Sequence, residues 1–116
     1  MLLVHEDLSP ILIKEYNESF ELIVVEVKTQ NSPVRVITGY GPQENWIESD
    51  RMPFWDALEE ELSSVELNGR SVIIQMDANA KLGKAYIQGD PHNMSVTGRV
   101  FSGIIERHAL IVLNGL

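Results

Sequence analysis

The stretch "VIIQMDANAKLG", residues 72 to 83, decides the fold that the sequence predicts. It opens with an apolar run typical of a buried strand, and the run stops abruptly at Asp77. Asn79 follows two positions later, and residues two apart in an extended chain point to the same side. The sequence therefore predicts a carboxylate and a carboxamide side by side at the exit of a strand.

A strand and a helix precede this stretch. "VRVITGYGP", residues 34 to 42, is predicted as a strand that ends at its glycines, and residues 53 to 66 carry apolar positions at helical spacing. We expect Ser49 or Asp50 to cap this helix and Pro53 to lie in its first turn. A strand, helix, strand order makes the two strands parallel, so their carboxyl ends emerge at one edge of the sheet. Tyr40 and Gln43, in "GYGPQ", are then predicted neighbours of the Asp77 turn.

The remaining elements complete an α/β pattern. Residues 11 to 17 and 19 to 29 are rich in β-branched residues and are predicted as consecutive strands, the second apolar on both faces. A short turn then implies an antiparallel hairpin with the strand at 34 to 40. A second helix is expected from about Gly98 to His108, and a last strand at residues 110 to 114. Glu59 to Glu61 are expected on a solvated helix face.

Composition narrows the class of protein. The chain has 116 residues, enough for one core, and 44% of them are hydrophobic, as in soluble globular proteins. The absence of cysteine excludes disulfides, thiolate metal sites and a cysteine nucleophile. No apolar run approaches the roughly 18 residues of a spanning helix, and the opening does not resemble a signal peptide, so an intracellular protein is expected. A net charge of −8 argues against tight binding to a phosphate backbone.

The motifs "GYGPQ" and "MDANAKLG", followed by residues that fit "GDPH…S…GR.F…I..H.L.V.NG", resemble the endonuclease/exonuclease/phosphatase superfamily. The version most similar is the endonuclease domain of non-LTR retrotransposons. The resemblance covers roughly residues 11 to 116 and implies about half of a four-layered α/β sandwich, with residues 1 to 116 as a single partial domain. It further implies hydrolysis of DNA with Mg²⁺ or Mn²⁺ and a nuclear location.

The resemblance also implies residue roles. Asp77 would orient or deprotonate the attacking water, Asn79 and Tyr40 would bind the scissile phosphate, and Gln43 would take the place of the amide residue after the proline. Met76 and Ala78 replace a glycine and a bulky residue of the family pattern. Neither the metal-binding glutamate nor the closing Ser-Asp-His has a clear match, so an internal piece, a degenerate copy or a truncated chain is expected, with weak activity or none.

Each candidate also has a structural interpretation. Asp77 and Asn79 can form a local turn in which their side chains bond the backbone, and Tyr40 can be a half-buried aromatic of the sheet. His92 is expected to be a solvated loop residue, Trp55 a core residue and Trp46 a loop anchor. The alternative function is a non-catalytic module that keeps the α/β core for binding. Either form would expose sheet edges, through which copies of the chain could associate.

Overall fold

The computed structural model describes residues 2–80, 82 and 95–113. Their elements are a short 3₁₀ helix at Glu6–Leu8, strands β1 (Ile11–Tyr16), β2 (Glu21–Val27) and β3 (Val34–Tyr40), helix α1 (Glu48–Leu67), strand β4 (Ser71–Asp77) and helix α2 (Val96–Arg107). The strands form one sheet in the order β1-β2-β3-β4. The β1–β2 and β2–β3 pairs are antiparallel and the β3–β4 pair is parallel. The predicted α/β class, hairpin and parallel crossover are therefore confirmed.

Both helices pack on one face of the sheet. Leu22 and Val24 of β2 and Ile37 of β3 are fully buried against α1 and against Ile104 of α2. Trp55 joins the two helices, because its ring lies edge-on to Phe54 at 4.9 Å and 5.2 Å from the ring of Phe101. Burial of each such large side chain contributes about 1.5 to 3 kcal/mol. This core holds both helices on the sheet, and the expectation that Trp55 is a core residue is confirmed.

The opposite face of the sheet is covered in part. Val25 and Val27 are buried there, and the segment before β1 is tied to the end of β2 because Lys28 N donates to Leu8 O at 2.8 Å. Leu12 and Ile73, on the same face, are 59% and 55% exposed. The described residues therefore form one sheet and one helical layer, and the four-layered sandwich stays a prediction. None of the helices in these residues is long and apolar enough to cross a membrane.

The start of α1 differs from the prediction. The helix begins at Glu48, and Ile47 precedes it without a side-chain cap, so neither Ser49 nor Asp50 is the N-cap. Pro53 is the sixth residue of the helix, beyond the first turn. The amides of Asp50 and Arg51 already bond to Ile47 O, which closes the first turn upstream of the proline. Pro53 therefore removes one helical hydrogen bond inside α1, the one to Ser49 O.

The end of α2 explains why the last strand is not formed. Residues 110–112 have no regular structure and Leu113 is in a 3₁₀ turn, so the strand predicted at 110 to 114 is wrong for these residues; Asn114 lies outside the described residues. Ala109 has a φ of 52° and reverses the chain after the helix. Leu110 N bonds to Ile105 O and Ala109 N to Glu106 O, the pattern of a Schellman motif. Leu110 consequently packs back on the core instead of extending.

The acidic face of α1 is less solvated than expected. Glu61 is 7% exposed and accepts a hydrogen bond from the Tyr16 hydroxyl at 3.0 Å. Glu59 pairs with Arg107 of α2 at 2.6 Å, and this hydrogen bond is the main reason that the pKa of Glu59 lies below its ordinary value of 4.5. The interpretation of Glu59 to Glu61 as a solvated face is thus wrong for Glu61, because the acidic residues help to attach β1 and α2 to α1.

Candidate functional site

The carboxyl ends of β3 and β4 lie side by side. Tyr40, the last residue of β3, is paired in register with Asp77, the last residue of β4. The two exits are joined directly, because the amide of Gly41 donates to the carbonyl of Asp77 at 2.6 Å. The prediction that the tyrosine loop and the aspartate turn share one edge of the sheet is therefore confirmed.

Gly41 allows the two loops to approach each other. A Cβ atom placed on Gly41 would lie 2.1 Å from the carbonyl oxygen of Ala78, much closer than any real contact. Pro42, the next residue, is fully buried. The sequence "GYGP" thus supplies a residue without a side chain at the point where the two loops touch, followed by one that fixes the loop against the core.

Asn79 connects the two loops through its side chain. Its Nδ2 atom donates to the carbonyl of Gly41 at 2.8 Å, while its backbone amide donates to Asp77 Oδ1 at 3.1 Å. Its φ is 48°, in the left-handed region. The prediction of an extended chain from Asp77 to Asn79 is therefore wrong. The local turn that the sequence allowed as an alternative is what brings the pair together. Asp77 and Asn79 therefore each use one side-chain polar group in a structural hydrogen bond. The Asp77 carboxylate retains further acceptor sites on its two oxygens.

Tyr40 and Gln43 are both accessible. Tyr40 is 58% exposed, and its position in the strand places its side chain on the face of the sheet away from the helices. Gln43 is exposed in the loop after Pro42, and its carbonyl accepts from Trp46 N at 3.1 Å. This bond involves the backbone of Trp46, which is 38% exposed, so the role of its side chain as a loop anchor stays a prediction.

A groove of about 1150 Å³ runs from this edge along β4. Gln43, Asp77 and Asn79 form part of its polar end, whereas Tyr40 does not line it. Its apolar wall comes from both faces of β4, from α2 and from the segment after α2, including Ile74, Met76, Phe101, Ile105 and Leu110. We call Tyr40, Gln43, Asp77 and Asn79 the rim. It lies at the polar end of the apolar groove.

Two residues that the sequence did not point to complete the edge. Glu44 Oε1 accepts from the backbone amide of Thr97 at 3.4 Å and lies 3.2 Å from its hydroxyl, at the start of α2. Thr97 Oγ1 also lies 3.3 Å from the carbonyl oxygen of Asn79. Ser95 caps the same helix, with its hydroxyl accepting from Gly98 N at 3.0 Å. The sequence contains a cap signal at Ser95 but no signal that links Glu44 to a helix that begins 52 residues later.

The donor set limits how a metal could bind. Among the residues that the structure describes, no group of three or more His, Cys, Asp and Glu side chains could hold a metal ion. Within the described part of the chain, Asp77 supplies the carboxylate at the rim, since Glu44 is bonded to α2. Mg²⁺ commonly binds through one or two carboxylates together with substrate phosphate and water. The described residues therefore fit a cation shared with a phosphate and do not form a resident site of their own.

His108 is the histidine of the described residues that lines the groove. Its side chain is 7% exposed, and its Nδ1 lies 2.6 Å from Glu66 of α1. His92 lies outside the described residues.

Comparison of the chain with protein-family models, with curated proteins and with solved structures finds no match. The rim presents a carboxylate, two carboxamides and a phenol at one edge of a parallel strand pair.

Proposed function

We propose that this chain carries part of a metal-dependent phosphodiesterase site, in half of a four-layered α/β sandwich of the retrotransposon-endonuclease type that acts on DNA in the nucleus. The observation that carries the proposal is the joined exit of β3 and β4. There Tyr40 is in register with Asp77, and Asn79 Nδ2 donates to Gly41 O at 2.8 Å. Ligands of open α/β sheets bind at such carboxyl ends.

Each rim residue has a role that suits its chemistry. Asp77 would accept the proton of the attacking water or orient that water toward phosphorus. The Tyr40 hydroxyl and the Gln43 carboxamide would donate to phosphate oxygens, where negative charge grows during cleavage. Asn79 would hold the two loops at a fixed separation, and the turn at Asn79 would contact the phosphate. A divalent cation, Mg²⁺ or Mn²⁺, shared by Asp77 and the phosphate would supply charge neutralisation.

The activity expected of this chain is small. The described residues offer one carboxylate at the rim and no cluster that could hold a metal. The net charge of −8 weakens attraction to DNA, because affinity for the backbone comes mainly from Lys and Arg. These same observations favour the second candidate function, a non-catalytic module that retains the α/β core for binding.

Nicking of supercoiled plasmid separates the two candidates. With Mg²⁺, we expect the 116-residue chain to convert no more than a trace of plasmid to the nicked form, and we expect Asp77→Ala to remove that trace. Asp56→Ala is the matched control, since Asp56 is exposed on α1, away from the rim. A trace that persists unchanged in Asp77→Ala would contradict the catalytic assignment and leave the binding module.

A further inference from the structure

Thr97 touches both loops that carry the candidate residues. It is the second residue of α2 and only 1% exposed. Its hydroxyl lies 3.2 Å from Glu44 Oε1, next to Gln43, and 3.3 Å from the carbonyl oxygen of Asn79. One buried side chain therefore connects the start of α2 with both sides of the rim.

Glu44 is held at this position as an anion. The Ser95 side chain has the largest effect on the pKa of Glu44 and lowers it from its ordinary value of 4.5, and hydrogen bonds from Thr97 and Val96 act in the same direction. The amino-terminal end of a helix also favours a negative charge. The Glu44 carboxylate thus accepts hydrogen bonds from backbone amides at the start of α2 and attaches the loop after Pro42 to that helix.

Asn79 has a left-handed backbone, a conformation that asparagine adopts more readily than most residues other than glycine. Contacts around the residue favour it over the extended conformation. Three contacts support this conformation: the Asn79 amide to Asp77, its carboxamide to Gly41, and the Thr97 hydroxyl, whose single proton is shared between Asn79 O and Glu44 Oε1. The last of these is the contact that depends on α2.

We propose that Thr97, together with Glu44, is the positioning pair of the rim. The pair holds Asn79 in its left-handed conformation and fixes the Gln43 loop beside it, so that the groups around Asp77 meet a phosphate in one geometry. As a positioning role, this inference rests on the proposed function; as a statement about the conformation of Asn79, it stands apart from it.

Nuclear magnetic resonance of the whole chain tests the pair. The coupling between the amide and Hα protons of Asn79 reports its φ, and we expect Thr97→Val to move it toward the extended range while Thr97→Ser restores it. Loss of this support should also weaken binding of a deoxydinucleotide phosphodiester with Mg²⁺ by about ten-fold, as for other residues that orient a site. An unchanged Asn79 coupling in a folded Thr97→Val variant would overturn the proposal.

Acidity provides a second, independent readout that does not need a folded Thr97 variant. Because the pKa of Glu44 is lowered in the folded chain, its contacts persist below pH 4.5 and are lost only as the pH falls through the lower value. In an Asp77→Asn background, which removes the carboxylate bonded to the Asn79 amide, the Asn79 resonances should follow this step with Glu44 present and not in Glu44→Gln, with Glu18→Gln in the exposed β1–β2 turn as the control. A step that survives in Glu44→Gln would also overturn the proposal. If the Asn79 effects appear but the wild type binds no phosphodiester, the positioning pair is upheld and the proposed function fails.

Discussion

At the scale of the residue, Gly41 sets the distance between the two loops of the rim. Because a Cβ there would lie 2.1 Å from Ala78 O, we expect Gly41→Ala to lower the free energy of unfolding by about 2 kcal/mol through overpacking. Urea denaturation measures this change. Gly103→Ala is the matched control: its Cβ would meet only the flexible end of Arg107, and in a helix the substitution should stabilise by about 0.5 to 1 kcal/mol. Equal stability of the two variants would contradict the close approach.

The sequence allowed some residues of the rim to be placed and others not. The positions of Tyr40 and Asp77 follow from a general rule, since parallel strands joined by a helix end at the same edge. The sequence allowed the local turn at Asp77 and Asn79 as an alternative, but the contacts of the Asn79 carboxamide and of Thr97 follow no such rule. They join residues that are 38, 53 and 18 positions apart, and they depend on where α2 begins. Tertiary contacts of this kind cannot be inferred from local pattern.

At the scale of the element, α1 and α2 differ in the residue that reverses the chain after each helix. Both helices end in Schellman motifs, but α1 places Gly69 at the left-handed position and α2 places Ala109 there. We expect Ala109→Gly to raise the free energy of unfolding by about 1 kcal/mol, because glycine adopts this conformation without a Cβ penalty. Thermal denaturation measures it, and Ala57→Gly inside α1 should do the opposite. A destabilised Ala109→Gly variant would contradict the assigned helix end.

Element ends were also where the sequence was least informative. Apolar spacing identified α1 because Phe54, Leu58, Leu62 and Val65 are its buried face. It did not identify the first turn, which is polar, uncapped and closed by backbone bonds to Ile47. At residues 110 to 113 the apolar pattern predicted a strand, yet the reversal at Ala109 places Leu110 on the core.

At the scale of the whole molecule, the sheet leaves apolar positions on its surface. Ile11 and Leu12 of β1, at one edge, are 50% and 59% exposed, and Ile73 of β4, at the other edge, is 55% exposed. Exposed edges of this kind pair readily with other strands. We therefore propose that the chain self-associates, with sedimentation equilibrium showing a mass that rises with concentration.

Lysine at the edges should suppress this association. We expect Leu12→Lys and Ile73→Lys to shift the equilibrium toward the monomer, whereas Leu67→Lys, at the end of α1 and 88% exposed, should not. A monomer at all concentrations in the wild type, or equal effects of the three variants, would contradict an edge-mediated contact.

The joined edge of β3 and β4 as a phosphate site is tested most directly by mapping where a phosphodiester binds. The measurement is a titration of the labelled chain with a deoxydinucleotide in the presence of Mg²⁺, followed by amide chemical shifts. We expect the shifts to concentrate at residues 40, 41, 43 and 77–79 and to disappear when Mg²⁺ is replaced by a chelator. Shifts centred on Arg35 and Arg70, at the opposite end of the same strand pair, or no shifts at all, would contradict the account.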